Sequence, residues 1–145
     1  MVWPALYLEK RLLAWWVIGF GLLVEWRAVH YLTGRSWRGS VWPTLAMNLA
    51  STIVGLVLIP LAGFGWEFFP GTLLYKIFDV GTFNPGTWIA TLVFAVLINT
   101  SIEALVLKRV FKTRFPKDGF LVLALANAVS VGAAMVSIMV APPPI

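Results

Sequence analysis

The 145-residue chain is 60% hydrophobic and only 12% charged, against roughly 25% charged in an ordinary soluble domain, and its formal net charge is +5. It holds no cysteine and a single histidine, which excludes disulfides, thiolate metal sites, a cysteine nucleophile and multi-histidine metal centres. The apolar excess runs along the whole length, so the chain reads as an all-α integral membrane protein.

Taken in order, Lys10 and Arg11 precede the first long apolar run, 12–32. Basic residues before an apolar run also mark signal peptides. This run is longer than a signal core, contains Glu25 and Arg27 and has no small-x-small cleavage site, so it is expected to persist as a membrane span. A basic turn with Arg35 and Arg38 follows, then a second span, 42–64, with Ser40 as its expected cap and Pro60 expected to kink or fray its far end. Segment 65–85 is rich in glycine and proline. Within it, 72–80 places Leu73, Leu74, Ile77, Phe78 and Val80 at helical spacing, which predicts a short amphipathic helix lying on the membrane surface between two turns. Asn84 and Pro85 are a cap and first-turn residue for a third span, 86–107. A second basic loop ends at Pro116 and Asp118, before a fourth span, 119–141, and a stiff Pro-rich tail, 142–145. Each span meets the roughly 20 residues that a helix needs to cross the hydrocarbon core.

Eight of the eleven basic residues (Arg27, Arg35, Arg38, Lys108, Arg109, Lys112, Arg114, Lys117) fall at the two short loops, and three (Lys10, Arg11, Lys76) on the other side. The positive-inside rule puts both loops in the cytoplasm and both termini outside, as expected for a bacterial inner-membrane protein. Trp37, Trp42, Trp66 and Trp88 flank the spans as interfacial anchors. The positive charge thus reflects topology; a nucleic-acid partner would need a soluble basic face with interleaved aromatics, which the chain lacks.

Two segments look like copies. Glu25 aligns with Glu103 at an offset of 78, and Asn48, Ser51 and Gly55 align with Asn127, Ser130 and Ala134 at 79. Each half is then a helix carrying an intramembrane Glu, a basic turn, and a helix carrying Asn-x-x-Ser-x-x-x-small. One membrane domain is expected: repeat one at about 12–64, an external interfacial segment at 65–85, repeat two at about 86–141, and the tail. Each repeat has two spans, so both share one orientation. Glu25 lies 23 residues before Asn48, and Glu103 lies 24 before Asn127. The basic turn falls midway, which sets each pair at one depth on adjacent antiparallel helices, where carboxyl and amide can satisfy each other. Asn99, one turn from Glu103, is expected to join a central polar cluster of Glu25, Asn48, Ser51, Asn99, Glu103, Asn127 and Ser130.

Intramembrane carboxylates point to proton or cation handling, and equally to clamps that lock helices together. Their nearness to the cytoplasmic edge, with no acidic partner deeper in the spans, favours the clamp. The chain is therefore expected to be a non-catalytic subunit or scaffold of a larger membrane complex. The alternative is a small proton- or cation-coupled transporter or channel using the intramembrane Glu–Asn clusters, for which a homo-oligomer is one arrangement open to it. His30 is a candidate axial ligand for a haem or chlorophyll metal, although a lone histidine is more often an interfacial polar residue. No resident cofactor or metal is legible, and no hydrolase, zinc-protease or phosphate-loop motif is present. The bilayer and other membrane subunits are the expected partners.

Overall fold

A computed structural model describes residues 15–79 and 85–140, which are mostly helical and hold no strand. The expectations for Lys10, Arg11, Val80, Asn84 and the 142–145 tail lie outside the described residues. Helix α1 is Trp15–Thr33, α2 Val41–Trp66, α3 Thr72–Phe78, α4 Pro85–Arg109 and α5 Gly119–Val140. A 3-10 turn, Arg38–Ser40, leads into α2. Among the described residues, three helical stretches are long and apolar enough to cross a membrane: Arg38–Phe78, Ile89–Arg109 and Gly119–Ser137. Helix α1 has 19 residues and holds Glu25 and Arg27.

Burial is inverted relative to a soluble bundle. Leu49, Ile53, Leu56, Leu97, Leu105, Leu121 and Leu125 face outward, whereas Glu25, Ser51, Thr100, Glu103 and Asn127 are buried. In water this arrangement would expose apolar area at about 25 cal/mol per Å² and bury polar groups as well. In lipid, both choices are favourable, because tails solvate leucine and only the protein interior can satisfy a carboxyl.

Helix α2 packs most extensively on α4 and α1 on α5; α4 and α5 make the next largest contact, and α1 and α2 the least of these four. Small residues set the close approaches. A Cβ added at Gly21 of α1 would lie 3.3 Å from Ser130 Oγ on α5, and one at Gly55 of α2 would lie 3.4 Å from Asn99 Oδ1 on α4. With no hydrophobic drive between helices in lipid, such close backbone contact is a main source of their attraction.

The basic end carries the compact apolar core. Val29, Leu32, Met47, Ala104, Leu107 and Leu123 are buried there, with Phe111 and Phe115 packed on them. The Arg35 guanidinium donates to the Phe111 carbonyl at 3.2 Å and lies over that ring, which ties the two basic loops together. Lys108 sits over Phe115. Gly34, at φ +62°, reverses the chain after α1 and donates its N–H to the His30 carbonyl, a left-handed helix stop that glycine adopts without strain.

Two local expectations are corrected. Ser40 stands at the cap position of α2 but its side chain caps nothing there; its hydroxyl donates back to the Ser36 carbonyl, because the preceding 3-10 turn already brings that oxygen within 3.1 Å. Pro60 lies inside α2, which runs on to Trp66. The expected turn before 72 is also absent. Trp66, Glu67, Gly71 and Thr72 all keep right-handed helical angles, and a π-helical turn, Glu67–Gly71, joins α2 to α3 without a break. Pro70 has no N–H to donate and its ring crowds the preceding turn; the wider i→i+5 turn accommodates both. Thr72 Oγ1 donates to the Glu67 carbonyl at 2.6 Å across this turn. The result is a helix of 41 residues, Arg38–Phe78, about 60 Å long at 1.5 Å per residue. It is longer than the roughly 20 residues that cross the hydrocarbon core, and it stops at Asp79, whose φ is 49°.

Candidate functional site: a polar cavity between the four long helices

The same helix faces that allow close packing also carry the polar residues. Asn48, Ser51 and Gly55 recur at i, i+3 and i+7 along α2, so one face presents amide, hydroxyl and backbone in turn. On α4, Asn99 and Glu103 sit one turn apart; on α5, so do Asn127 and Ser130. A cavity of about 470 Å³ opens between the helices, and all seven residues of the expected cluster line it: Glu25, Asn48, Ser51, Asn99, Glu103, Asn127 and Ser130.

Glu103 is the best-held member, 1% exposed. Asn127 Nδ2 donates to its Oε2 at 2.6 Å, and Ser51 Oγ donates to its Oε1 at 3.1 Å. The second Nδ2 hydrogen of Asn127 goes to the Leu123 carbonyl, so that amide nitrogen is fully used. Asn48 repeats the backbone contact, donating to Thr44 O at 2.9 Å. Ser51 has one proton and two acceptors in reach, Glu103 Oε1 and Asn48 O, so it bonds one or shares between both. Asn99 lines the cavity with its Oδ1 toward Gly55 rather than bridging directly to the carboxyls.

Glu25 is held differently. Asn48 and Ser130 are placed to donate to its carboxyl, yet its Oε2 is buried with no hydrogen-bond partner, and the residue is only 4% exposed. The two carboxyls are close enough for their charges to interact. Among the described residues, no lysine or arginine lines the cavity. An orphaned acceptor in such a place costs roughly 1–3 kcal/mol, so it marks a position where a donor would be taken up.

Contacts within hairpins were expected, Glu103 with Asn127 and Glu25 with Asn48. The bonds that join one half to the other, Ser51 to Glu103 and Ser130 to the Gly21 carbonyl at 3.5 Å, were not. Sequence reasoning also missed Thr100, fully buried with its hydroxyl unpartnered. Its spacing of three from Glu103 was the available signal.

His30 lines neither this cavity nor the groove described below. Its ring stacks on Trp37 with centroids 4.0 Å apart, and Nδ1–H donates to the Arg35 carbonyl at 2.7 Å. Trp26 Nε1 donates to the Trp37 carbonyl at 2.8 Å. Together these contacts close the first basic turn. At the far end, the Tyr75 hydroxyl bridges Glu67 Oε1 at 2.9 Å and Thr87 Oγ1 at 3.0 Å, fastening the π-helical turn to the start of α4. Among the described residues, no group of three or more His, Asp and Glu side chains is placed to hold a metal ion.

No protein-family model, curated protein or solved structure matches the chain. The cavity's own chemistry therefore carries the functional argument.

Proposed function

We propose that the protein is a small proton- or cation-coupled membrane transporter or channel, in which four helices cross the bilayer as two hairpins of one orientation and Glu25 and Glu103 form the binding site. The observation that carries this reading is the convergence of both carboxyls on one cavity that no basic side chain lines among the described residues, with one Glu25 oxygen unpartnered. A pure clamp needs its carboxyls saturated, as Glu103 is; Glu25 is not. Two correspondences support the duplicated hairpin. Asn48 and Asn127 each donate to the carbonyl four residues back. Ser51 reaches Glu103, the glutamate of the other half, and Ser130 lies against Glu25, again the glutamate of the other half.

One observation favours the second reading, a non-catalytic subunit of a larger complex. Phe68, Phe69, Leu73, Ile77 and Phe78 are at least half exposed on the stretch of helix that overshoots the span, where a neighbouring subunit would cover them.

The two readings separate in reconstituted vesicles. Proton flux is followed with an entrapped pH dye, and sodium and potassium flux by isotope uptake. We expect flux of at least one of the three above empty vesicles, abolished by Glu25→Gln or Glu103→Gln while the variants still insert and retain their helix content. Wild-type vesicles with no flux of any of them would sink the transport reading and leave the scaffold.

A further inference from the structure

A second cavity, an apolar groove of about 330 Å³, lies along the seam between α1 and α2, lined by Gly19, Leu22, Leu23, Trp26, Val41, Thr44 and Leu45. Leu22 and Leu45 line both this groove and the polar cavity, so the two spaces adjoin there. The seam is also the least closely packed of the four principal helix contacts; its counterpart between α4 and α5 is tighter. The chain thus has an apolar slot that adjoins, at Leu22 and Leu45, a cavity lined by two carboxyls, one of them with a buried, unpartnered oxygen, and among the described residues no lysine or arginine lines either space.

From this continuity we infer that the protein binds an amphipathic organic cation, a protonated amine with an apolar tail, which enters sideways from the bilayer between α1 and α2. The ammonium head donates to Glu25 Oε2 and balances charge in the cavity; the tail occupies the groove beside Trp26 and Leu45. Three features select this chemistry. The carboxyls select a cation over an anion. The orphaned acceptor selects a head that donates hydrogen bonds, and so a protonated amine over a quaternary one. The apolar slot selects an alkyl or aryl tail over a small hydrated ion. The inference rests on the carboxyl cavity as a binding site and adds the class of ligand and its route.

The test uses the full chain in lipid nanodiscs with dodecylamine carrying a diazirine near the end of its tail, and the matching dodecanoic acid as the anionic control. After illumination, labelled positions are read by mass spectrometry. We expect saturable amine labelling centred on 19–26 and 41–45, at least tenfold weaker in Glu25→Gln, and little labelling there by the acid. Gly19→Trp, which fills the groove from a position where an added Cβ meets no atom within 4 Å, should weaken it as well. Because that variant leaves the carboxyls in place, it separates loss of the groove from loss of the fold. Labelling that does not saturate, that spreads equally over the outer faces of α4 and α5, or that is equal for amine and acid would overturn the inference. Ion flux without specific amine labelling would sink the inference and leave the proposed transport function standing; specific labelling without any flux would do the reverse.

Discussion

At the scale of single residues, the polar cluster is an exercise in matching donors to acceptors where water is absent. Asn127 gives one N–H to Glu103 and one to Leu123 O, and it is 1% exposed. Replacing it with leucine removes both bonds and strips Glu103 of its shortest contact. We expect Asn127→Leu to destabilise the protein by about 2 kcal/mol, read from unfolding in detergent with increasing dodecyl sulfate. Ser51→Ala removes only one interhelical bond, of a kind that averages about 0.6 kcal/mol in membrane proteins, so its effect in the same titration should be several times smaller. A Ser51→Ala change as large as Asn127→Leu would show that the α2–α4 contact, and not the α4–α5 contact, governs the cluster. Gly21 belongs to the same scale. Its missing Cβ lets α1 reach Ser130, and Gly21→Leu should destabilise by about 1–3 kcal/mol through forced separation of the helices.

At the scale of elements, most helix positions were legible, because apolar runs bounded by basic residues, prolines and glycines leave little freedom. The expected span 42–64 falls inside α2, and 119–141 agrees with α5 to within a residue over the described chain. The seven residues picked out by polar spacing all line the cavity, which Thr52 lines as well without having been singled out. The segment after Trp66 was misread for a physical reason. Glycine and proline in "GWEFFPG" read as a turn, yet a single π turn absorbs Pro70 and keeps the helix going. Local sequence does not distinguish those outcomes; the bonds from Tyr75 to Glu67 and Thr87 help to hold the helical one. Tyr75→Phe should therefore speed hydrogen exchange across Thr72–Phe78 and leave the middle of α2 unchanged. Equal exchange in both proteins would show that the helix extension is self-sufficient. Which helices pack across the two halves was likewise illegible, since it depends on contacts between residues some 50 to 110 positions apart, such as Ser51 with Glu103 and Ser130 with Gly21.

At the scale of the whole molecule, the arrangement makes a claim about sidedness and one about chemistry. The native chain has no cysteine, so single-cysteine variants report topology on a clean background. We expect Ser36→Cys and Lys117→Cys to react with an impermeant maleimide from the cytoplasmic face, and Asp79→Cys from the opposite face. Reaction of Ser36→Cys and Lys117→Cys from opposite faces would contradict two hairpins of one orientation. The chemical claim is that the carboxyls of Glu25 and Glu103 exchange a proton or cation with the cavity. Infrared difference spectroscopy on the reconstituted protein reads this at the reacting groups, by following the carboxylic-acid carbonyl stretch as pH or cation concentration is stepped. The predicted result is a reversible band change that loses one component in Glu25→Gln and another in Glu103→Gln; a spectrum with no carboxylic-acid band that responds, or one unaltered by both substitutions, would contradict it.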